Sequence, residues 1–409
     1  MTAEPPLLVD WPVNTATGWG VFGLNLTLQL LRQGRHPALL MAPDLAGSTP
    51  VIQALLHQTV MEQRHLAQLL EQSGSGLECA WPVFRGLDGA FQYHPSSARI
   101  QARHNIGVLF FEDTVVAPEA LDRAARLQAI IAGSTWNAEL LEDRGLINVH
   151  LVPQGIDPSV FHPAPRSGLL SQRFVIFSGG KLEYRKGQDI VVAAFRQFVR
   201  KHPEALLVAA WHNAWPETMR GIDSAGHVQG APSVDPSGRM CTGEWLVANG
   251  VPAGSFVEVG PLPNWAMASL YRDADLGLFP NRAEGGTNLV AMEAMACGLP
   301  AILSRNTGHL DLIDPSRCYP LTEQKPVAGG CPLYQGYEGW GESDVEEILA
   351  LMEFAYQNRE DARHRGEAAA RHMHSEWNWE LRVHEILEVL TLSGRSPRPS
   401  LPKGVRVGA

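Results

Sequence analysis

Positive charge is short in this sequence. Its 409 residues hold 33 Lys and Arg against 43 Asp and Glu, a formal net charge of −10. A general nucleic-acid binder needs a basic face, so this balance argues against that class and leaves only local basic patches. Cysteine is sparse too. Cys79, Cys241, Cys297, Cys318 and Cys331 are odd in number, scattered and without CxxC spacing. That speaks against a disulfide framework or a zinc site and predicts buried free thiols in a reducing compartment. No window reaches the ~18 apolar residues needed to span a bilayer. The stretch MTAEPPLLVDWP has neither a basic region nor a long apolar run, so it does not read as a signal peptide. No short-period repeat is present. The expectation is a cytoplasmic chain without a transmembrane segment, with room for peripheral contact at the inner membrane.

What the chain does have is apolar residues, 45% of the total, enough for real cores. At ~100–200 residues per domain, the length predicts two or three domains. Strand and helix signals alternate in two blocks. The first runs through LLVDW, VFGLNLTLQLLRQG, HPALLMAP, NIGVLFFE, PEALDRAARLQ, AIIAGS, TWNAELLEDRG and NVHLVP. The second runs through RFVIFSGG, GQDIVVAAFRQFVRKHP, ALLVAAW, PNWAMASLYRDA, DLGLFP, TNLVAMEAMACG and PAILS. A proline-rich seam, GIDPSVFHPAPRSG, separates them. Such alternation predicts parallel sheets covered on both faces, as two Rossmann-like domains facing a central cleft. The expected boundaries are 1–163 and 164–375, a helix over 376–392 returning toward the first domain, and a disordered basic tail over 393–409. Residues 212–254 read as an insertion rich in Gly, Pro and Trp. In WHNAWPET, at its start, Trp211, His212 and Trp215 suit either sugar stacking or packing.

The stretch EGGTNLVAMEAMACGLP, residues 284–300, carries two glutamates nine positions apart. On one unbroken helix they would point to opposite faces. The glycine pair argues against such a helix. Thr287 or Asn288 is a natural N-cap, with the helix starting near Leu289. Glu284 is then a loop residue, while Glu293 lies on or beside the apolar stripe of Leu289, Met292 and Ala296. A buried carboxylate needs donors, from protein or from ligand hydroxyls such as a ribose diol. N–H groups at Gly285, Gly286 and Thr287 suit anionic or sugar oxygens. A structural glutamate with an ordinary glycine loop is the competing reading, and spacing alone leaves both open.

Two further motifs carry charge or glycine. In FSGGKLEYRKGQD, Lys181, Arg185 and Lys186 follow Gly179 and Gly180 at the end of a strand. Three cations there suit a diphosphate, or form a solvated basic turn. Residues 18–23, GWGVFG, are a literal GxGxxG, with Asp44 ending the next strand, which is the case for an NAD(P)-dependent oxidoreductase. Against it, Gly18 lies eight residues past Asp10, whereas the dinucleotide turn follows its strand directly. A glycine loop that lets backbone approach a cleft ligand fits better, with Gly18 and Gly20 as candidate donor-binding residues.

Taken together, VPQGIDPSVFHP, GGKLEYRKGQDIVVAAF and the run from VGPLPNW to GHLDLI resemble the retaining GT-B glycosyltransferases of family 4 type, the group 1 glycosyltransferases. The resemblance implies an α/β GT-B fold and a nucleotide-diphosphate sugar as donor. It implies transfer to an acceptor hydroxyl with retention, and neither a cofactor nor a metal. The acceptor is open among saccharide, lipid-linked and protein classes. By position, Lys181 and Lys186 face the diphosphate and Glu284 the donor sugar. Gly285, Gly286, Thr287, Asn288 and Leu289 line the donor, and Glu293 meets the ribose. The sequence departs from the pattern in three places. The glutamates are nine rather than eight apart, Lys181 stands where arginine is frequent, and Glu112 and Asp113 follow GVLFF where many members have histidine. An acid there is a candidate donor-sugar or acceptor contact, or a helix cap. A non-catalytic nucleotide-sugar-binding subunit on the same fold is the remaining alternative.

Overall fold

The computed structural model describes residues 7–73, 76–94, 97–327 and 330–393. They fall into two compact units. One contains the described residues of 1–111 and 116–153 and those from 382 onward. The other contains 112–115 and 154–381. The expected tail lies, from residue 394, outside the described residues. Among the described residues no helix is long and apolar enough to cross a membrane, and the five cysteines are free, four of them buried.

The first unit has strands β1 (Leu7–Asp10), β2 (Pro37–Leu39), β3 (Leu77–Cys79), β4 (Val83–Gly86), β5 (Ile100–Ala102), β6 (Asn105–Leu109), β7 (Ala129–Ala132) and β8 (Val149–Leu151). Its main sheet is parallel in the order β2-β1-β4-β6-β7-β8, and β3 pairs with β5. Helices α1 (Gly18–Arg32), α2 (Pro50–Gln72), α3 (Pro118–Ala124) and α4 (Thr135–Asp143) alternate with the strands. The sequence reading passed over α2 and β4. The second omission has a physical cause, because β4 is four residues long and contains Arg85. That arginine is fully buried, bonded to Asn105, Ser97 and the Ile100 carbonyl, and its guanidinium sits 4.1 Å from the Tyr93 ring centre. A charge satisfied by side chains far along the sequence does not look like a core strand.

The GxGxxG also differs from its reading. Its glycines lie inside the first two turns of α1, capped by Thr17, whose hydroxyl accepts from Gly20 N at 3.0 Å. A Cβ at Gly20 would run into the Asn14 side chain, and one at Gly23 into the Pro12 carbonyl. The chain's own loop packs closely against Gly20 and Gly23, whereas a Cβ at Gly18 would meet nothing within 4 Å.

The second unit has strands β9 (Phe174–Lys181), β10 (Ala205–His212), β11 (Phe256–Glu258), β12 (Leu276–Phe279), β13 (Ala301–Ser304) and β14 (Tyr319–Leu321), with a hairpin of β15 (Gln324–Pro326) and β16 (Gly341–Ser343). The main sheet is parallel in the order β11-β10-β9-β12-β13-β14. Counted within the unit this is 3-2-1-4-5-6, the Rossmann order. Helices are α5 (Gln188–Lys201), α6 (Thr242–Ala248), α7 (Met267–Asp273), α8 (Leu289–Ala296), α9 (Val345–Gln357) and α10 (Arg359–Glu376), and α11 (Trp379–Ser393) runs on into the first unit's residues. Alternate residues of β9 serve opposite faces, as strand geometry requires. Phe174 and Ile176 join Val191 and Phe195 of α5, while Val175 and Phe177 join Met292 and Met295 of α8. Both faces are covered, which explains the near-continuous apolar runs of β9 and β10.

Candidate functional site

In the second sheet the chain leaves β9 toward one edge and β12 toward the other. In open α/β sheets, ligands gather outside the carboxyl ends of strands at such a switch point. Here β9 ends in Lys181 and β12 runs into residues 280–288. The two following segments are tied together. Arg282 N and Ala283 N donate to the Arg185 carbonyl at 2.7 and 3.2 Å. Gly187 has φ 69°, and a Cβ there would collide with the Pro280 carbonyl. The Lys-Gly glycine is thus required twice, by conformation and by close approach.

The charges form an alternating chain. Lys181 Nζ lies 3.1 Å from Glu183, and Glu183 lies 2.7 Å from Arg185. Arg185 reaches Glu284 at 3.1 Å and Glu112 at 3.2 Å, and Lys186 Nζ meets Glu284 at 2.5 Å. Three cations face three carboxylates. Burial pushes Lys186 below the usual lysine value, against the pull of Glu284. Burial also raises the Glu284 carboxyl, but Lys186, Arg185 and His309 outweigh it and hold it low. Under the cluster, Arg282 is fully buried and grips Asp189 with two bonds of 2.8 and 2.6 Å. It also reaches Glu342 and the Tyr184 carbonyl. Burial works against its charge, but Asp189 and Glu342 push its pKa above the ordinary arginine value.

The glycine loop is held from one side. Thr307 Oγ1 accepts from Glu284 N at 2.9 Å, and Gly308 N donates to the Glu284 carbonyl at 3.0 Å. A Cβ at Gly308 would penetrate the Gly286 carbonyl. Asn288 adopts φ 59° and caps α8 through Ala291 N. Its amide donates to His309 Nε2 at 3.0 Å, which leaves the proton on Nδ1 to bond Ser304 Oγ at 2.9 Å. Burial pushes His309 down to about 4, so the ring is neutral near pH 7. Glu293 lies on α8 as the spacing predicts, 2% exposed. Its donors are neutral: Asn264 Nδ2 at 2.6 Å and Tyr271 Oη at 3.2 Å. Without a cation, burial pushes its carboxyl up to about 8.

Residues 257–386 match the family described as "Family 4 Glycosyltransferase in conflict systems". The D-inositol 3-phosphate glycosyltransferase of Acidothermus cellulolyticus is 28% identical over 39% of this chain and 34% of its own length. A GDP-mannose-dependent phosphatidylinositol monomannoside mannosyltransferase of Corynebacterium glutamicum is 24% identical over 58% of this chain and 55% of its own. The chain thus spans about a third to a half of these curated relatives. Sucrose-phosphate synthase from Thermosynechococcus elongatus superimposes with TM-score 0.64 at 16% identity, covering 96% of this chain and all of that one. HepE from Anabaena, in complex with UDP and glucose, gives 0.64 at 13% identity, covering 95% and 100%. Over these stretches the chain is similar to group 1 glycosyltransferases of family 4 type. Its two parallel-sheet units are those of the GT-B fold, and the dinucleotide reading of residues 18–23 gains no support from any of these likenesses.

Lys186, Glu284, Gly285 and Glu112 come together in the second unit. Gly285 N donates to Glu112 Oε1 at 3.3 Å. Lys181 stands at the outer end of the charge chain, 5.2 Å from the Trp215 ring centre. Trp211 is core, donating to Ser178 Oγ. Gly18 and Gly20 belong to the first unit. Asp113 accepts from Gln335 N and Gly336 N at 2.9 Å each and from Val115 N at 3.1 Å, a backbone clamp on the segment around Tyr337. Sequence reasoning missed Glu183, Arg282, Asp189, Glu342, Asn264, Tyr271 and His309 as parts of the assembly. Arg282 had a usable signal, a lone cation between an apolar strand and a glycine loop. Asn264 and Tyr271 had none, because only the packing of α7 and the turn before it on α8 brings them to Glu293.

Proposed function

We propose that this chain moves a glycosyl group from a nucleotide-diphosphate sugar to an acceptor hydroxyl, with retention of anomeric configuration. The observation that carries the reading is the Lys186–Glu284–Arg185 cluster at the β9/β12 switch point, beside the 285–288 loop. In this reading Lys186, with Lys181 and Arg185, takes the charge that grows on the diphosphate as the sugar–phosphate bond breaks. That is electrostatic catalysis by fixed cations. Glu284 sets the positions of Lys186 and Arg185 and lies toward the sugar, and Gly286, Thr287, Asn288 and Leu289 follow as donor lining. Glu293, below the loop, meets the ribose hydroxyls. Gly18 and Gly20 shape the acceptor-side loop rather than touch phosphate. The bond electrons leave on the phosphate oxygen, the acceptor oxygen bonds the anomeric carbon, and its proton ends on the departing nucleotide or solvent. Side-chain cations supply the charge balance, so transfer is expected to proceed with EDTA present and without a cofactor.

The test is a screen of UDP- and GDP-sugars for transfer or slow hydrolysis. Lys186→Ala is expected to lower turnover at least ~100-fold, as loss of a charge-stabilising group does. Glu293→Ala is expected chiefly to raise the donor KM. Near-normal rates in both variants sink the site assignment. NMR of the new linkage reads the anomeric outcome.

A further inference from the structure

Residues 112–115 follow β6 in sequence yet belong to the second unit. Their attachment there is extensive. Trp340 Nε1 donates to the Glu112 carbonyl at 2.9 Å, Asp113 takes Gln335 N and Gly336 N, and Glu338 N donates to Thr114 Oγ1 at 3.1 Å. A Cβ at Gly336 would strike Thr114. This backbone clamp aims one side chain into the charge cluster. Glu112 Oε1 lies 3.2 Å from Arg185 Nη1 and accepts from Gly285 N at 3.3 Å. A guanidinium beside a glycine-loop amide is an anion site, and the anion in it belongs to the protein.

We infer that Glu112 is an internal anion that holds the diphosphate position, so that a nucleotide diphosphate binds by displacing it from Arg185 and Gly285 N. This rests on the donor reading above and goes beyond it, since it turns a candidate sugar or acceptor contact into a competitor of the donor. The charge count supports it. With Glu112 in place the cluster is three against three. With Glu112 gone, Lys181, Arg185 and Lys186 face only Glu284 and Glu183, and one positive charge is left for the phosphates. The groups facing Glu112 are Arg185, Lys186, Glu183, Glu284 and the Tyr334 hydroxyl. Burial, with Glu183 and Glu284, lifts the Glu112 carboxyl above the usual range against Arg185 and Lys186. A lower pH therefore works in the direction of release.

The experiment measures UDP, GDP and inorganic pyrophosphate affinity by calorimetry for wild type, Glu112→Gln and Glu112→Gln/Arg185→Ala. The amide keeps an acceptor for Gly285 N and removes the charge. Glu112→Gln is expected to bind all three probes roughly tenfold tighter, the scale of one nearby charge. The double variant is expected to lose that gain. Wild-type affinity is expected to rise as pH falls, and the single variant's to stay flat over the same range. A merely structural role would move neither the pH profile nor pyrophosphate. Equal or weaker binding by Glu112→Gln, with probes still bound by wild type, overturns this role and leaves the donor reading standing. If no probe binds either form, both fall.

Discussion

Glu293 shows how much of a residue's chemistry lies in its neighbours. Spacing puts it on the buried side of α8, where a carboxylate needs donors, but the donors turn out to be an amide and a phenol rather than a base. Its folded pKa of about 8 stands above the ordinary 4.5. The folded state then holds a proton that the unfolded chain releases, so stability falls as pH rises from 4.5 toward 8 and levels off above. Glu293→Gln cannot ionise. We expect urea melts at pH 5 and pH 8.5 to show wild type losing on the order of a few kcal/mol relative to this variant across the window. A constant difference between the two would mean that Glu293 stays ionised throughout. His309 runs the other way in sign. Its folded value of about 4 lies below the ordinary 6.5, so its contribution is lost as pH falls between them.

At the scale of elements, the loop at residues 284–288 is a short piece of chain held by another short piece. EGGTN is legible as a flexible loop with a capped helix after it, because glycine, threonine and asparagine each have a local reason to be there. What presses on it from β13 onward, NTGH at residues 306–309, has no comparable signal. Yet the Gly308 Cα lies so close to the Gly286 carbonyl that no side chain fits. Gly308→Ala must therefore push the loop away. We expect a loss of about 1–3 kcal/mol and a donor KM raised severalfold, read by thermal melts and by donor titration. A variant with unchanged KM would show that the loop's position is irrelevant to the donor. The GxGxxG teaches the converse lesson. Its pattern is local, but its meaning depends on the Pro12 and Asn14 segment folding down onto α1.

At the scale of the whole molecule, the second unit is organised around a fully buried arginine. Arg282 ties Tyr184, α5 residue Asp189 and β16 residue Glu342 to one point beneath the charge cluster. Without it the buried Asp189 carboxylate loses its cation, which is strongly destabilising, about 3–5 kcal/mol, while Glu342 keeps His227. Arg282→Met is expected to lower the denaturant midpoint by that equivalent and to abolish transfer. Retention of both stability and turnover would mean that the residue is dispensable to the site's frame.

The alternation of strand and helix, the proline seam, the capped start of α8 and the split of Glu284 from Glu293 were all determined by sequence, since each follows from local periodicity or turn chemistry. The likeness to family 4 glycosyltransferases is legible as well, from motifs that run through most of the second unit. Only tertiary structure decided which charges meet. Pairing is a matter of loops brought together from positions about a hundred residues apart, and sequence spacing carries no information at that range. That is why Lys181 and Lys186 could be named from the chain, while their pairing with Glu183 and Glu284, and that of Arg185 with Glu112, was decided only in the folded unit.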